Sequence, residues 1–97
     1  MILGFGDKAS EDLFHGENTR EARSIPRELW KIAVRKLDLL NAAHDLGDLR
    51  SPPGNRLELL RGSLAGLHSI RINDQYRIVF HWAANGADKV RVVDYHA

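Results

Sequence analysis

Apolar residues along this chain fall first at helical spacing and then at strand spacing, and the change comes at one short irregular stretch. Residues 2–5 predict a short first strand, after which Asp7 or Ser10 can cap a brief helix carrying Leu13 and Phe14 that stops near Gly16. The charged stretch 17–23 has no apolar period and reads as a connector. Pro26 stands where a first helical residue is expected. From residue 27 to 46, Leu29, Ala33, Leu37 and Leu40 recur at helical spacing, with Trp30 and Val34 widening the stripe and Lys31, Arg35 and Asp38 outside it. Gly47 is placed to end that helix. Two prolines and a glycine then exclude regular structure from residues 50–55. Beyond them the period becomes two, predicting strands at 56–61, 67–72, 76–82 and 89–95. Asn73-Asp74 and Asn85-Gly86 supply hairpin turns, so the last three strands should form an antiparallel meander. The expected fold class is α+β: two N-terminal helices on one face of a mainly antiparallel sheet of about five strands.

Length and composition narrow this picture. The 97 residues fit one domain spanning 1–97. With 43% apolar and 28% charged residues, the chain has the balance of an ordinary folded protein rather than a disordered one. Without cysteine, neither a disulfide nor a thiolate metal site can hold the fold. The start of the chain lacks the pattern of a signal peptide and no stretch is long enough to span a membrane, so a cytoplasmic protein without membrane contact is expected. The net charge is only +1, but it is unevenly spread. Residues 1–49 hold seven Lys/Arg against nine Asp/Glu, whereas residues 50–97 hold seven against four, and six of those seven cations are arginine. Arginine's planar fork suits phosphate oxygens, which points the C-terminal half towards a phosphate-bearing partner.

Strand alternation then sorts the candidate chemistry. Tyr76, Ile78, Phe80 and Trp82 share a face that must meet the helices, leaving Arg77, Val79 and His81 on the other, with Arg77 displayed there. Ser69 and Arg71 share a face of the preceding strand, so Arg71 should lie near Arg77. Glu58 and Arg61 come from the strand before, and Asp94, Tyr95 and His96 from the end of the last one, with Tyr95 on the side opposite Asp94 and His96. Arg56, Arg71 and Arg77 are candidate contacts to the phosphates of a nucleic acid. Singly, each arginine is ordinary solvated surface; only their grouping makes a site. His68 and His81, without a third ligand, do not make a metal site, and no cofactor is implied. Trp30 and Trp82 fall on apolar stripes and are expected to fill the core.

Four pieces of sequence, taken in order, carry a likeness to a known family: the start at residues 2–5, the run 49–58 (Leu-Arg-Ser-Pro-Pro-Gly-Asn-Arg-Leu-Glu), the run 66–77 (Gly-Leu-His-Ser-Ile-Arg-Ile-Asn-Asp-Gln-Tyr-Arg), and the terminal Asp94-Tyr95-His96. The chain resembles the HigB, or proteic killer, toxins of the RelE/ParE superfamily over nearly its full length. The resemblance implies a RelE/ParE-like fold and a metal-independent, ribosome-dependent endoribonuclease that cuts translated messenger RNA and arrests growth. It further implies neutralisation by a HigA-like helix-turn-helix antitoxin, with operator DNA reached only through that complex. By position Arg77 is similar to the family's strand arginine near the scissile phosphate, and Asp94, Tyr95 and His96 match its C-terminal triplet. Arg61 stands where relatives offer a basic residue, a second phosphate contact. Glu58 departs from the pattern, occupying a place where some relatives carry a catalytic histidine. The implied roles are Asp94 or Glu58 as base, Arg61 and Arg77 as charge stabilisers, and His96 or Tyr95 as acid or base-stacking group. Two rivals share the expected fold: a ParE-like poison of DNA gyrase, and a noncatalytic module that only binds RNA or a protein partner.

Overall fold

The structure is a computed structural model that describes residues 1–95. Its helical half is built by local side-chain bonds. The Asp7 carboxylate accepts the Ser10 N–H at 2.8 Å and so starts helix α1, Lys8–Phe14. Asp12 in that helix is buried; it pairs with Lys8 at 2.8 Å and accepts the Thr19 hydroxyl at 2.6 Å, which ties α1 to the connector behind it. These two hydrogen bonds, that from Lys8 first, hold the Asp12 carboxyl below the usual carboxylate range. The long helix is shorter than its periodicity predicts. Residues Arg27–Leu29 form a 3-10 turn, and helix α2 runs Trp30–Ala42, burying Ala33, Lys36, Leu37 and Leu40 along one stripe. It ends early because Asp45 and Asp48 form a capping box, with the Asp48 carboxylate also accepting the His44 N–H at 2.9 Å. That box opens a separate 3-10 turn, Leu46–Arg50, so Gly47 sits inside it instead of closing α2.

The sheet is antiparallel throughout its named strands, in the order β1 (Glu58–Leu59), β2 (His68–Arg71), β3 (Tyr76–Ala83) and β4 (Gly86–Asp94). The meander is as expected, but among the described residues the strands number four, not five. Residues 2–5 make only two isolated parallel bridges, Ile2 with Ala87 and Phe5 with Val90, so they run along β4 as a strap. Glycine is needed for that approach: a Cβ on Gly6 would stand 2.9 Å from the Lys89 carbonyl oxygen. The strap continues into α1, where the buried Ser10 hydroxyl accepts the Val92 N–H at 2.8 Å. At the opposite edge β1 keeps only two of the six residues expected of it, because Arg56 before it adopts the left-handed region (φ 46°) and Gly62 after it does likewise (φ 68°). The β3–β4 turn is Ala84-Asn85, one residue earlier than the Asn85-Gly86 pair suggests. Gly86 pairs with Ala83 inside the ladder, and a Cβ there would stand 2.7 Å from the Met1 carbonyl oxygen.

The core lies between α2 and one sheet face. Leu37 and Leu40 of α2 join Ile70, Ile78, Phe80, Val90 and Val92 in one buried cluster; Trp30 and Trp82, expected to fill it, are only partly buried and pack against its margin. With α1 only seven residues long, one main helix, rather than the expected two, covers this face. The other face is not fully open either: Ser69 and Val79 are 0% exposed there, and Leu60 and Val79 are buried outside the main cluster. Among the described residues no helix is long and apolar enough to cross a membrane.

Candidate functional site

The ladder between the strands decides which side chains meet. Arg71, Arg77 and Val93 stand opposite one another across β2, β3 and β4; Glu58, Ser69, Val79 and Arg91 form the neighbouring row on the same face, turned away from α2. Arg77 is therefore at the centre of the face where alternation puts it. It is not displayed, however, because its side chain is only 14% exposed. Nη1 donates to the Ser69 hydroxyl at 3.1 Å, Nη2 lies 3.4 Å from Glu58 Oε1, and the guanidinium carbon is 5.3 Å from the Tyr95 ring centroid. A guanidinium fixed by a hydroxyl, a carboxylate and an aromatic face has a defined direction, which a solvated arginine lacks.

The remaining candidates divide. Arg71 stands beside Arg77 and is paired with Asp74 of the β2–β3 turn. Arg91 joins the same face, its stem lying against Gly6, and was not singled out from the sequence although its alternation with Val92 could have marked it. Ser69, likewise passed over as a site residue, is the buried anchor of the Arg77 guanidinium. Asp94 pairs with Tyr76, so it falls on the helix-side parity, opposite to Arg77, where the Gln75 amide donates to its carboxylate at 3.0 Å. Tyr95, one residue on, returns to the Arg77 side. Arg56 and Arg61 are exposed at either end of β1, and no hydrogen bond or ion pair joins them to the Arg77 group among the described residues. His96 lies outside the described residues.

The grouped set is thus Glu58, Ser69, Arg71, Arg77, Arg91 and Tyr95. Chemically it offers a half-exposed carboxylate able to take a proton, oriented cations able to meet a phosphate, and a phenol ring able to stack on a base. No group of three or more His, Cys, Asp or Glu among the described residues could hold a metal ion. Two other titratable groups stand apart from this face. Burial, and then the charge of His81, push the His68 imidazole below its ordinary value. Burial, with Arg35 and Arg71 adding to it, pushes the Lys36 ammonium down as well; it donates to the side-chain oxygen of the buried Asn55.

Known proteins resemble this chain in sequence and, separately, in fold. Residues 3–96 match a family described as the RelE-like toxin of the type II toxin-antitoxin system HigB. Toxin HigB-1 of Vibrio cholerae is 46% identical over 82 residues, covering 84% of each chain. An uncharacterized protein of Haemophilus influenzae is 46% identical over 61 residues, 63% of this chain and 60% of the other. Among solved structures, a chain of the YoeB-YefM complex from Staphylococcus aureus superposes with a TM-score of 0.60 over 100% of this chain and 99% of its own, at 15% identity. That last likeness concerns the α+β fold alone.

Proposed function

Because the chain belongs to the HigB family of RelE-like toxins of type II toxin-antitoxin systems, we propose that it is a ribosome-dependent endoribonuclease that cuts messenger RNA without a metal ion and is restrained by a HigA-like antitoxin. The observation that carries the reading is the convergence of Glu58, Arg77 and Tyr95 on one sheet face. In the proposed step, Glu58 removes the proton of a ribose 2′-hydroxyl, and the 2′-oxygen forms a bond to the adjacent phosphorus. The bond from phosphorus to the 5′-oxygen breaks, and that oxygen takes a proton from His96 or Tyr95. The products are a 2′,3′-cyclic phosphate and a 5′-hydroxyl. Arg77, aided by Arg71 and Arg91, meets the negative charge that grows on the phosphate oxygens. Glu58 is preferred to Asp94 as base because it touches Arg77, whereas Asp94 belongs to the opposite parity. Arg56 and Arg61, exposed and apart, are left to contact RNA further along the strand. Such a site lacks the means to place its substrate accurately, and the decoding ribosome, which holds the messenger in one conformation, supplies that placement in the cytoplasm.

The test is messenger cleavage in a translating extract, with RNA ends mapped. Arg77→Ala and Glu58→Gln should each lose roughly 10²–10³-fold in rate, the scale of a removed charge stabiliser or proton-transfer group. Ser69→Ala, which loosens the guanidinium without removing it, should lose about 10-fold or less. Full cleavage by both Arg77→Ala and Glu58→Gln would refute the mechanism, and growth arrest with intact messengers and broken chromosomes would point to gyrase instead.

A further inference from the structure

On the side of the sheet turned away from Arg77, a cleft of about 570 Å³ opens between β1 and the 3-10 turn Leu46–Arg50. Leu46, Leu57, Leu59 and Pro53 give it an apolar lining, and His68 and Arg50 contribute its polar groups. Arg50 is exposed and makes no ion pair among the described residues. His68, pressed against Phe80 with ring centroids 6.1 Å apart, stands across from Leu59 in the ladder; its Nδ1 is buried with no hydrogen-bond partner among the described residues. Leu59 is 62% exposed, an unusual position for a leucine beside an apolar cleft.

The backbone of the same residue is also open. Leu60 donates its N–H to the Leu67 carbonyl at 2.8 Å, so the Leu59–His68 pair is the one whose members do not bond each other across β1 and β2. The Leu59 N–H and C=O therefore point outward from the edge of the sheet. At the other edge the strap of residues 1–6 occupies the corresponding groups of β4. One residue thus offers a strand-pairing donor and acceptor, an exposed apolar side chain and a neighbouring cleft, with an uncompensated cation at the rim.

We propose that this cleft is the docking site for an extended segment of the antitoxin, which pairs with Leu59 through its backbone, sets an aliphatic side chain among Leu46, Leu57 and Leu59, and places a carboxylate on Arg50. Apolar lining favours a peptide over RNA, and the lone guanidinium favours an acidic residue beside the apolar one. The inference rests on the reading of this chain as a toxin with an antitoxin, but not on its ribonuclease mechanism. Inhibition at this cleft would leave the Arg77 face uncovered.

The test uses the purified full chain and the antitoxin encoded beside it, with affinity measured by calorimetry. Leu59→Asp and Arg50→Glu, both at exposed positions, should each weaken binding at least 10-fold while thermal unfolding and growth arrest by the toxin alone stay as in the parent chain. Arg77→Ala should bind as the parent does. If the parent chain binds but both cleft variants bind within 2-fold of it, the cleft is not the site and the proposal fails while the antitoxin reading stands. If the parent chain does not bind the neighbour's product, the antitoxin reading fails and the proposal with it. Sedimentation of the chain alone as a dimer that Leu59→Asp dissociates, or displacement of the antitoxin by an oligoribonucleotide that depends on Arg50, would overturn the proposal in favour of self-association or RNA.

Discussion

Lys36 is a lysine that the fold buries with no acid to meet it among the described residues. Its residue is 7% exposed, and its ammonium donates to Asn55, whose amide donates in turn to the Leu49 and Ser51 carbonyls at 3.1 and 3.3 Å. Burial lowers the folded-state pKa below the unfolded value of 10.5, so between the two the unfolded chain binds more protons and unfolding becomes harder as pH rises. The destabilising cost is fully present below the folded pKa and fades as pH climbs towards 10.5. Urea unfolding of the parent chain and Lys36→Met should therefore differ by a constant at neutral pH, and the parent should gain relative to the variant as pH rises; parallel curves up to 10.5 would show that the ammonium is not desolvated. Nothing in the helical pattern marks Lys36, since period alone puts a lysine on the stripe's border. Arg77 is the contrary case. Its face was legible from alternation, but its burial was not, because Ser69 and Glu58 reach it from strands whose register only the folded sheet sets.

Among elements, the meander is the most legible part, since strongly alternating runs and turn residues agree about where chain direction reverses. Its details depend on single backbone conformations that alternation does not report. Lys89 adopts φ 53° at an irregularity in the β3–β4 ladder, between the rungs of Val79 and His81, and shifts the pairing there. The ladder also fixes which side Asp94 takes: the sequence separates Asp94 from Tyr95, but only the Tyr76 pairing shows that it is the tyrosine that joins Arg77. Residues 2–5 have strand-like composition yet form no strand, because glycines let them lie close against β4 without a continuous ladder. The β3–β4 turn makes the same point with a measurable consequence. Ala84 holds φ 53°, a region that costs a residue with a Cβ about 1–2 kcal/mol. Ala84→Gly removes that cost and restores some unfolded-state entropy, so it should stabilise the chain by about 0.5–1 kcal/mol in urea unfolding. A loss of stability would mean that the turn does not hold its left-handed residue there.

At the scale of the whole molecule, the charge imbalance seen in the sequence becomes a local one: Arg71, Arg77 and Arg91 share one face. For a single strand each cation that meets a phosphate contributes about −0.7 to the slope of log K against log salt, so these three should supply about −2 of the slope for an oligoribonucleotide, which should fall by about 0.7 in Arg91→Ala. A slope near zero would mean that this face does not meet the RNA backbone. The strap along β4 has a consequence of a different kind. Ser10 closes onto Val92, 82 positions later, and the first six residues bond to the strand that begins at Gly86. The strap therefore has nothing to hold until β4 is itself in place. Contacts so distant in sequence form slowly, so the first residues should lock onto the sheet late, after the meander they clasp has closed.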